Sequence, residues 1–206
     1  PVIFPHKKHK QTRNILHVWG KIITSDTLDV FVCHLPSRYG GEKESEADRF
    51  DAARTLRELC DSLLIIRTNP QILIMGDFND TPENTSITQI LAAEKITTRT
   101  EANKLYNLFA DPHALNHPGT HKYQGEWNQL DHIIVSGNLL DKNSAIHVDP
   151  GSNRIFIPPF LFTEDKTWHG KRPFRTYYGF KYEGGYSDHL PLITDFLLSL
   201  PDKDLN

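Results

Sequence analysis

The segment Ile74-Met75-Gly76-Asp77-Phe78-Asn79-Asp80 and the segment Tyr186-Ser187-Asp188-His189-Leu190-Pro191 set carboxylates, a carboxamide and an imidazole at the ends of apolar, strand-like runs. Such an inventory suits metal-assisted cleavage of a phosphate ester. Mg²⁺ takes carboxylate oxygens and water, a phosphoryl oxygen takes an amide donor, and the attacking water needs a base whose pKa lies near the operating pH. Asp77 and Asn79 are two residues apart, so in an extended segment their side chains point the same way. Asp131 opens the apolar run Ile133-Ile134-Val135, and a carboxylate bordering a buried strand needs a partner such as a histidine or a metal. His34 stands where a strand leaves the sheet. His132 follows Asp131, and strand alternation sends it to the opposite face, where a structural role is expected. Taken singly, each of these residues is what an ordinary turn or strand end contains. Together they become a site if strands far apart in sequence end on one rim over one pocket.

The elements that must build such a rim are readable from hydrophobic period and turn chemistry. Residues 15–23 and 28–33 read as strands joined by a turn over Thr24-Ser25-Asp26-Thr27, a hairpin. Leu56, Leu59, Leu63, Leu64 and Ile66 recur with Ala52 and Ala53 at helical spacing, predicting an amphipathic helix over 45–67. Asn69-Pro70 stops it, because proline pushes the preceding residue out of the α region. The apolar run 71–75 predicts a strand covered on both faces. A second, shorter helix is expected over 85–93 and a third helical piece over 106–113. Residues 120–127 read as strand and turn, 129–136 as an apolar strand, 138–141 as a loop and 145–147 as a brief strand. A last strand is expected over 190–197. Between them, 150–186 is long, weakly patterned and rich in Pro, Gly and aromatics, as functional loops often are. The order predicts an α+β fold with sheets sandwiched under flanking helices.

Composition limits the choice of partner. The 206 residues fit one domain with a real core, and 38% hydrophobic with 10% aromatic residues is a globular mixture. A formal charge of −3 gives no global attraction to polyanions, so any phosphate affinity must be local. Two basic stretches could supply it: Lys7-Lys8-His9-Lys10 with Arg13, and Lys166 through Arg175. Two cysteines, Cys33 and Cys60, are too few for a disulfide framework. No apolar run approaches the roughly 20 residues of a membrane-spanning helix, and nothing in the composition assigns a compartment.

Four motifs carry a resemblance. His34-Leu35-Pro36-Ser37, Gly76-Asp77-Phe78-Asn79, Trp127-Asn128-Gln129-Leu130-Asp131-His132-Ile133 and Ser187-Asp188-His189 occur in the order and rough spacing of the endonuclease/exonuclease/phosphatase (DNase I-like) superfamily, and through Pro173-Phe174-Arg175-Thr176-Tyr177 and Gly184-Gly185-Tyr186 the chain also resembles the bacterial proteins of that family. The resemblance implies a four-layered α/β sandwich and hydrolysis of a phosphoester with Mg²⁺, or Mn²⁺ in its place. His189 then resembles the imidazole that activates water or stabilises the phosphoryl group, oriented by Asp131. Asp77 would position the nucleophile, Asn79 would donate to a phosphoryl oxygen, and His34 would contact the phosphate. Asp188 resembles a metal ligand. Arg38, Arg172 and Arg175 are the expected further contacts to substrate. A phosphodiester, nucleic acid included, is the leading substrate, and a small sugar, inositol or lipid phosphate the alternative. A noncatalytic binding scaffold is the reading from another class. Bacterial proteins of the resembled family are often exported, so the resemblance is compatible with the periplasm or secretion and assigns no compartment.

The chain departs from the family at its start. No Glu precedes His34, where members carry their principal metal carboxylate, and the first acids are Asp26 and Asp29. The first residue is Pro1. About a hundred residues of such a domain are expected to be missing, so that 1–206 would be the C-terminal portion of a single domain. Weak Mg²⁺ binding and uncovered sheet edges are expected with it, as is pairing with the missing N-terminal segment.

Overall fold

The hairpin forms as its pattern dictates, and a third short segment extends it. In the computed structural model, which describes residues 2–3, 12–22, 26–111 and 115–199, Val2–Ile3 (β1) lies beside Ile15–Lys21 (β2), and β2 pairs antiparallel with Thr27–His34 (β3). Residues 23–25 of the turn and the basic stretch 7–10 lie outside the described residues. Glu46–Ile66 (α1) is a crossover helix returning the chain to Gln71–Asp77 (β4), which runs parallel to β3. Its acidic first turn, with Glu46 and Asp48, complements the helix dipole. Ala52, Ala53, Leu56, Cys60 and Leu63 form its buried stripe. Each large apolar side chain there contributes roughly 1.5–3 kcal/mol by burial.

The chain then adds Ala93–Lys95 (β5) and Leu105–Asn107 (β6), makes a hairpin of His121–Tyr123 (β7) and Glu126–Asn128 (β8), and returns as Asp131–Ser136 (β9). Gln124 and Gly125 both take positive φ, 48° and 92°, as a two-residue hairpin loop of the right twist requires. The main sheet has the order β1-β2-β3-β4-β9-β6-β5, so β4 is central. The remainder is short strands: Ile146–Val148 (β10), Arg154–Ile155 (β11), Phe162–Glu164 (β12), Lys171–Pro173 (β13), Tyr177–Tyr178 (β14), Lys181–Tyr182 (β15), Leu192–Ile193 (β16) and Phe196–Leu198 (β17). The fold is α+β, as expected. The described residues show α1 as one layer, the seven-stranded sheet as a second, and β10 with β17 as part of a third.

Several local expectations are corrected. The piece expected to be helical over 106–113 contributes β6 instead. Leu105, Tyr106 and Asn107 are all buried, and their backbone pairs with β9 on one side and β5 on the other, a non-local arrangement with no periodic signal. Residues 112–113 lie outside the described set. The helix expected over 85–93 is a single wide turn at Ser86–Ile90, closed by Leu91 N–H donating to Ser86 O at 2.9 Å. The last strand breaks at Thr194-Asp195, because β16 pairs with β11 while β17 pairs with β10. The weakly patterned 150–186 segment folds into the small hairpins β12–β13 and β14–β15.

β4 is also less covered than its run of apolar residues suggests. Ile72 and Ile74 are fully buried against α1, in a core that includes Phe31, Leu56 and Cys60. On the other face Leu73 packs with Val135, Ile146, Val148 and Phe196, but Met75, Val32, Leu16 and Val18 remain 36–52% exposed. Register places Leu16 beside Val32 and Val32 beside Met75, so these form one apolar strip across three strands. Cys33 and Cys60 are free thiols, both buried in the α1-facing core.

Candidate active site

Strand register delivers the polar residues to one rim. His34 at the end of β3 is the direct partner of Asp77 at the end of β4, and Asp77 is the direct partner of Asp131 at the start of β9. The close approach of β3 and β4 depends on Gly76, whose φ is +140°; a Cβ there would lie 1.9 Å from Cys33 O, so no side chain fits. His189 arrives from the segment before β16, anchored by an antiparallel bridge to His121 and by Leu190 N–H donating to Thr120 O at 2.8 Å.

The four side chains meet in a row. His34 Nε2 lies 3.3 Å from Asp77 Oδ2, His189 Nδ1 lies 2.7 Å from Asp131 Oδ2, and His189 Nε2 lies 3.9 Å from Asp77 Oδ2. Nδ1–H of His189 therefore donates to Asp131, leaving Nε2 directed toward Asp77. Burial opposes charge on His189, but the Asp131 hydrogen bond and the charges of Asp131, Asp77 and Asp188 outweigh it and raise its pKa above the usual value. Asp77 is raised as well, by burial first and by the charge of Asp131 second. His34 is lowered, chiefly by burial.

Asn79 and the three arginines are placed less simply. Asn79 takes φ +53°, and its Nδ2 donates to Leu35 O at 3.0 Å and Asp77 Oδ2 at 3.2 Å, so both amide protons are engaged within the rim loop. Arg38 holds that loop: Nε donates to Asn79 O at 2.7 Å, with Glu42 and Asp80 at 3.1 and 3.6 Å. Arg172 is buried, and its Nη2 donates to both carboxylate oxygens of Glu183, at 2.9 and 2.7 Å. Arg175 is near enough to His121 for its charge to help lower that imidazole, after burial and His189, to a pKa of about 4.

Behind the rim lies a buried polar network. Asp80, 1% exposed, accepts from Ser86 Oγ at 2.5 Å and sits 2.7 Å from Arg49 Nε, itself 1% exposed. His132 is fully buried, as strand alternation predicts. Nε2–H donates to Asp80 O at 2.9 Å, and Nδ1 accepts from Asn107 Nδ2 at 3.2 Å. Arg49, Asp80 and His132 thus clamp the loop carrying Asn79.

Two sets of candidate cation ligands share His189: Asp77, Asp131 and His189, and His121, Asp188 and His189. Sequence reading missed His121, whose only signal is its place in the β7–β8 hairpin ahead of the Asp131 motif. A cavity of about 610 Å³ adjoins the row, lined by Arg38, Asn79, His121, Tyr123 and Asn128 among others. Beside the His189 segment, where Phe156 N–H donates to Pro191 O at 2.7 Å, Phe160 meets Phe156 and Tyr186 edge-on, with ring centroids 6.5 and 5.4 Å apart, and all three are exposed. Among the described residues no helix is long and apolar enough to cross a membrane.

A model of the Endonuclease/Exonuclease/phosphatase family matches residues 2–197. No curated protein is matched by the sequence. Among solved structures, a truncated TDP2 of Caenorhabditis elegans is similar at 12% identity and a TM-score of 0.55, over 97% of this chain and 64% of its own. A mannosyl-6-phosphatase of Bacteroides thetaiotaomicron is similar at 17% and 0.52, over 94% and 61%. Sphingomyelinase C of Streptomyces griseocarneus is similar at 15% and 0.55, over 88% and 56%. At these identities the likeness is one of fold, and the chain spans between 56% and 64% of the length of these three structures.

Proposed function

The chain belongs to the endonuclease/exonuclease/phosphatase family of metal-dependent phosphoester hydrolases, and from that premise we propose that it hydrolyses a phosphodiester at the row His34–Asp77–Asp131–His189. The carrying observation is the 2.7 Å bond between His189 Nδ1 and Asp131 Oδ2, with Nε2 left facing Asp77. Asp131 fixes the imidazole's orientation and favours its charged form. Protonated His189 donates through Nε2 to a phosphoryl oxygen and offsets the negative charge that builds there. Asp77, made more basic by burial, accepts the proton of the attacking water. The new P–O bond forms from that water as the ester P–O bond breaks. His34 adds a contact to the phosphate from the far side of Asp77.

The donor chemistry fits a divalent cation. Asp77, Asp131 and His189 gather their ligand atoms within 4.8 Å, and Asp188 adds a carboxylate at the rim. Asp188 with these carboxylates would hold Mg²⁺ or Mn²⁺, which when bound supplies Lewis-acid polarisation of the phosphoryl group. Arg38 and Asn79 serve as positioning residues for the loop, and Arg175, whose guanidinium lies 5.4 Å from the Tyr178 ring centroid, is the remaining candidate cation for substrate.

The exposed aromatic group Phe156, Phe160 and Tyr186 supports the phosphodiester reading, because stacking faces beside a phosphate site suit an extended or base-bearing substrate. The 610 Å³ cavity favours a second reading, a small phosphomonoester. The test is turnover of bis(p-nitrophenyl) phosphate, plasmid DNA and p-nitrophenyl phosphate with Mg²⁺, with chelator, and with His189→Ala. Metal-dependent diester cleavage lost in His189→Ala supports the proposal. Cleavage of the monoester alone would transfer it to the second reading, and cleavage of none, with His189→Ala retaining any binding, would favour a noncatalytic scaffold.

A further inference from the structure

The His121 side of the site carries chemistry that phosphoester hydrolysis does not call on. His121 opens β7 and forms an isolated antiparallel bridge with His189, so the two side chains are direct cross-strand neighbours on one face. Their rings lie 4.6 Å apart between centroids and are tilted by 34°. Leu190 N–H on Thr120 O locks this register, and Ser187 Oγ accepts from the His189 N–H at 3.1 Å, fixing the turn that carries Asp188. Backbone pairing, rather than flexible side chains, thus sets the spacing of two imidazoles beside a carboxylate. Ligand atoms of His121, Asp188 and His189 lie within 4.8 Å of one another. Ligands around a tetrahedral ion at about 2.0–2.2 Å sit about 3.4 Å apart, so modest side-chain rotation closes the set.

From this juxtaposition we propose that His121, Asp188 and His189 form a binding site for a borderline transition-metal cation, Zn²⁺ in the first instance, distinct in chemistry from a Mg²⁺ site. Two imidazole nitrogens with one carboxylate oxygen is a donor set that Zn²⁺ and Co²⁺ accept readily, whereas Mg²⁺ takes oxygen almost exclusively. The supporting shell is present as well. Asp131 Oδ2 accepts from His189 Nδ1 at 2.7 Å, a carboxylate–histidine pair that directs the other ring nitrogen to a metal and strengthens it as a ligand. Three protein ligands leave a fourth position open, as in sites that bind water or an anion. Because His189 belongs to both sets and Asp188 is also the proposed Mg²⁺ ligand, an ion here takes groups that hydrolysis requires, and Zn²⁺ acts as an inhibitor by occupying them.

Co²⁺ is the probe, since tetrahedral Co²⁺ gives visible d–d absorption that Mg²⁺ cannot give. Titration of the metal-free protein is expected to show these bands saturating at one equivalent, with Zn²⁺ displacing Co²⁺ and excess Mg²⁺ failing to do so. His121→Ala and His121→Gln are each expected to weaken binding at least about tenfold, with circular dichroism confirming that one of them is folded, while Asp77→Asn keeps the bands. Absence of bands in the unsubstituted protein overturns the proposal. So does their survival in a folded His121 variant, and so does their loss in Asp77→Asn with retention in both His121 variants, which would place the ion on Asp77, Asp131 and His189. The readout is spectroscopic, so it separates this site from any failure of the proposed hydrolysis.

Discussion

The rim and the network behind it are assembled from the same side chains, aspartate, histidine and arginine, yet they differ in how completely those side chains are used. In the network, both nitrogens of His132 are hydrogen-bonded, Asp80 is held by Ser86 and Arg49, and Arg49 is 1% exposed. On the rim, His189 spends one nitrogen on Asp131 and leaves the other 3.9 Å from Asp77, beyond hydrogen-bonding reach. Burial with each charged group paired makes a scaffold. Burial with one atom left over makes a group whose pKa is displaced and whose bond is still to be made.

That contrast can be broken most directly at His189. His189→Ala is expected to lower phosphoester turnover about 10³-fold, within the range of a positioned acid or base, with little change in the urea midpoint. A large loss of stability with it would mean that the rim is scaffold too. Arg49→Met tests the opposite pole. Removing one partner of a buried ion pair should cost about 3–5 kcal/mol of stability, read by urea denaturation; an unchanged midpoint would show that the network is not holding the loop.

Asp131→Asn sharpens the division within the rim. His189's folded pKa is raised above 6.5, so its charged form contributes stability that is fully present below that pH and lost as pH rises through the raised value. With the Asp131 charge removed, the basic limb of the activity profile should move to lower pH and turnover should fall about a hundredfold. A profile with an unmoved basic limb would assign that limb to another group. The smallest effect is expected at His34, whose side chain is 46% exposed and holds one contact to Asp77 at 3.3 Å. His34→Ala should lower turnover about tenfold, below the usual contribution of a positioned acid or base, and leave stability intact. A loss equal to that of His189→Ala would make His34 a full partner in the chemistry.

Most of what positions the rim is written locally. The helix stripe from Ala52 to Leu63, the stop at Asn69-Pro70 and the apolar runs of β4 and β9 each depend on neighbours a few residues away, and the motifs at their ends follow. What sequence does not display is pairing over long separations. β6 was hidden because Leu105, Tyr106 and Asn107 are buried on both faces and show neither period. His121 was hidden because its meaning comes from a bridge to His189, far along the chain. The open strip from Leu16 to Met75 was unreadable for the same reason, since a run of apolar residues states that a strand is coverable, not that it is covered.

The two cysteines turn the core seam into a timekeeper. Burial pushes the Cys33 thiol up to about 12 and raises Cys60 as well, so neither presents a thiolate to a reagent while α1 is seated on the sheet. Alkylation can then proceed only during excursions in which the helix lifts, and its rate counts those excursions. Because Cys33 immediately precedes His34, the same count reports how often the strand that carries one end of the rim loses its support.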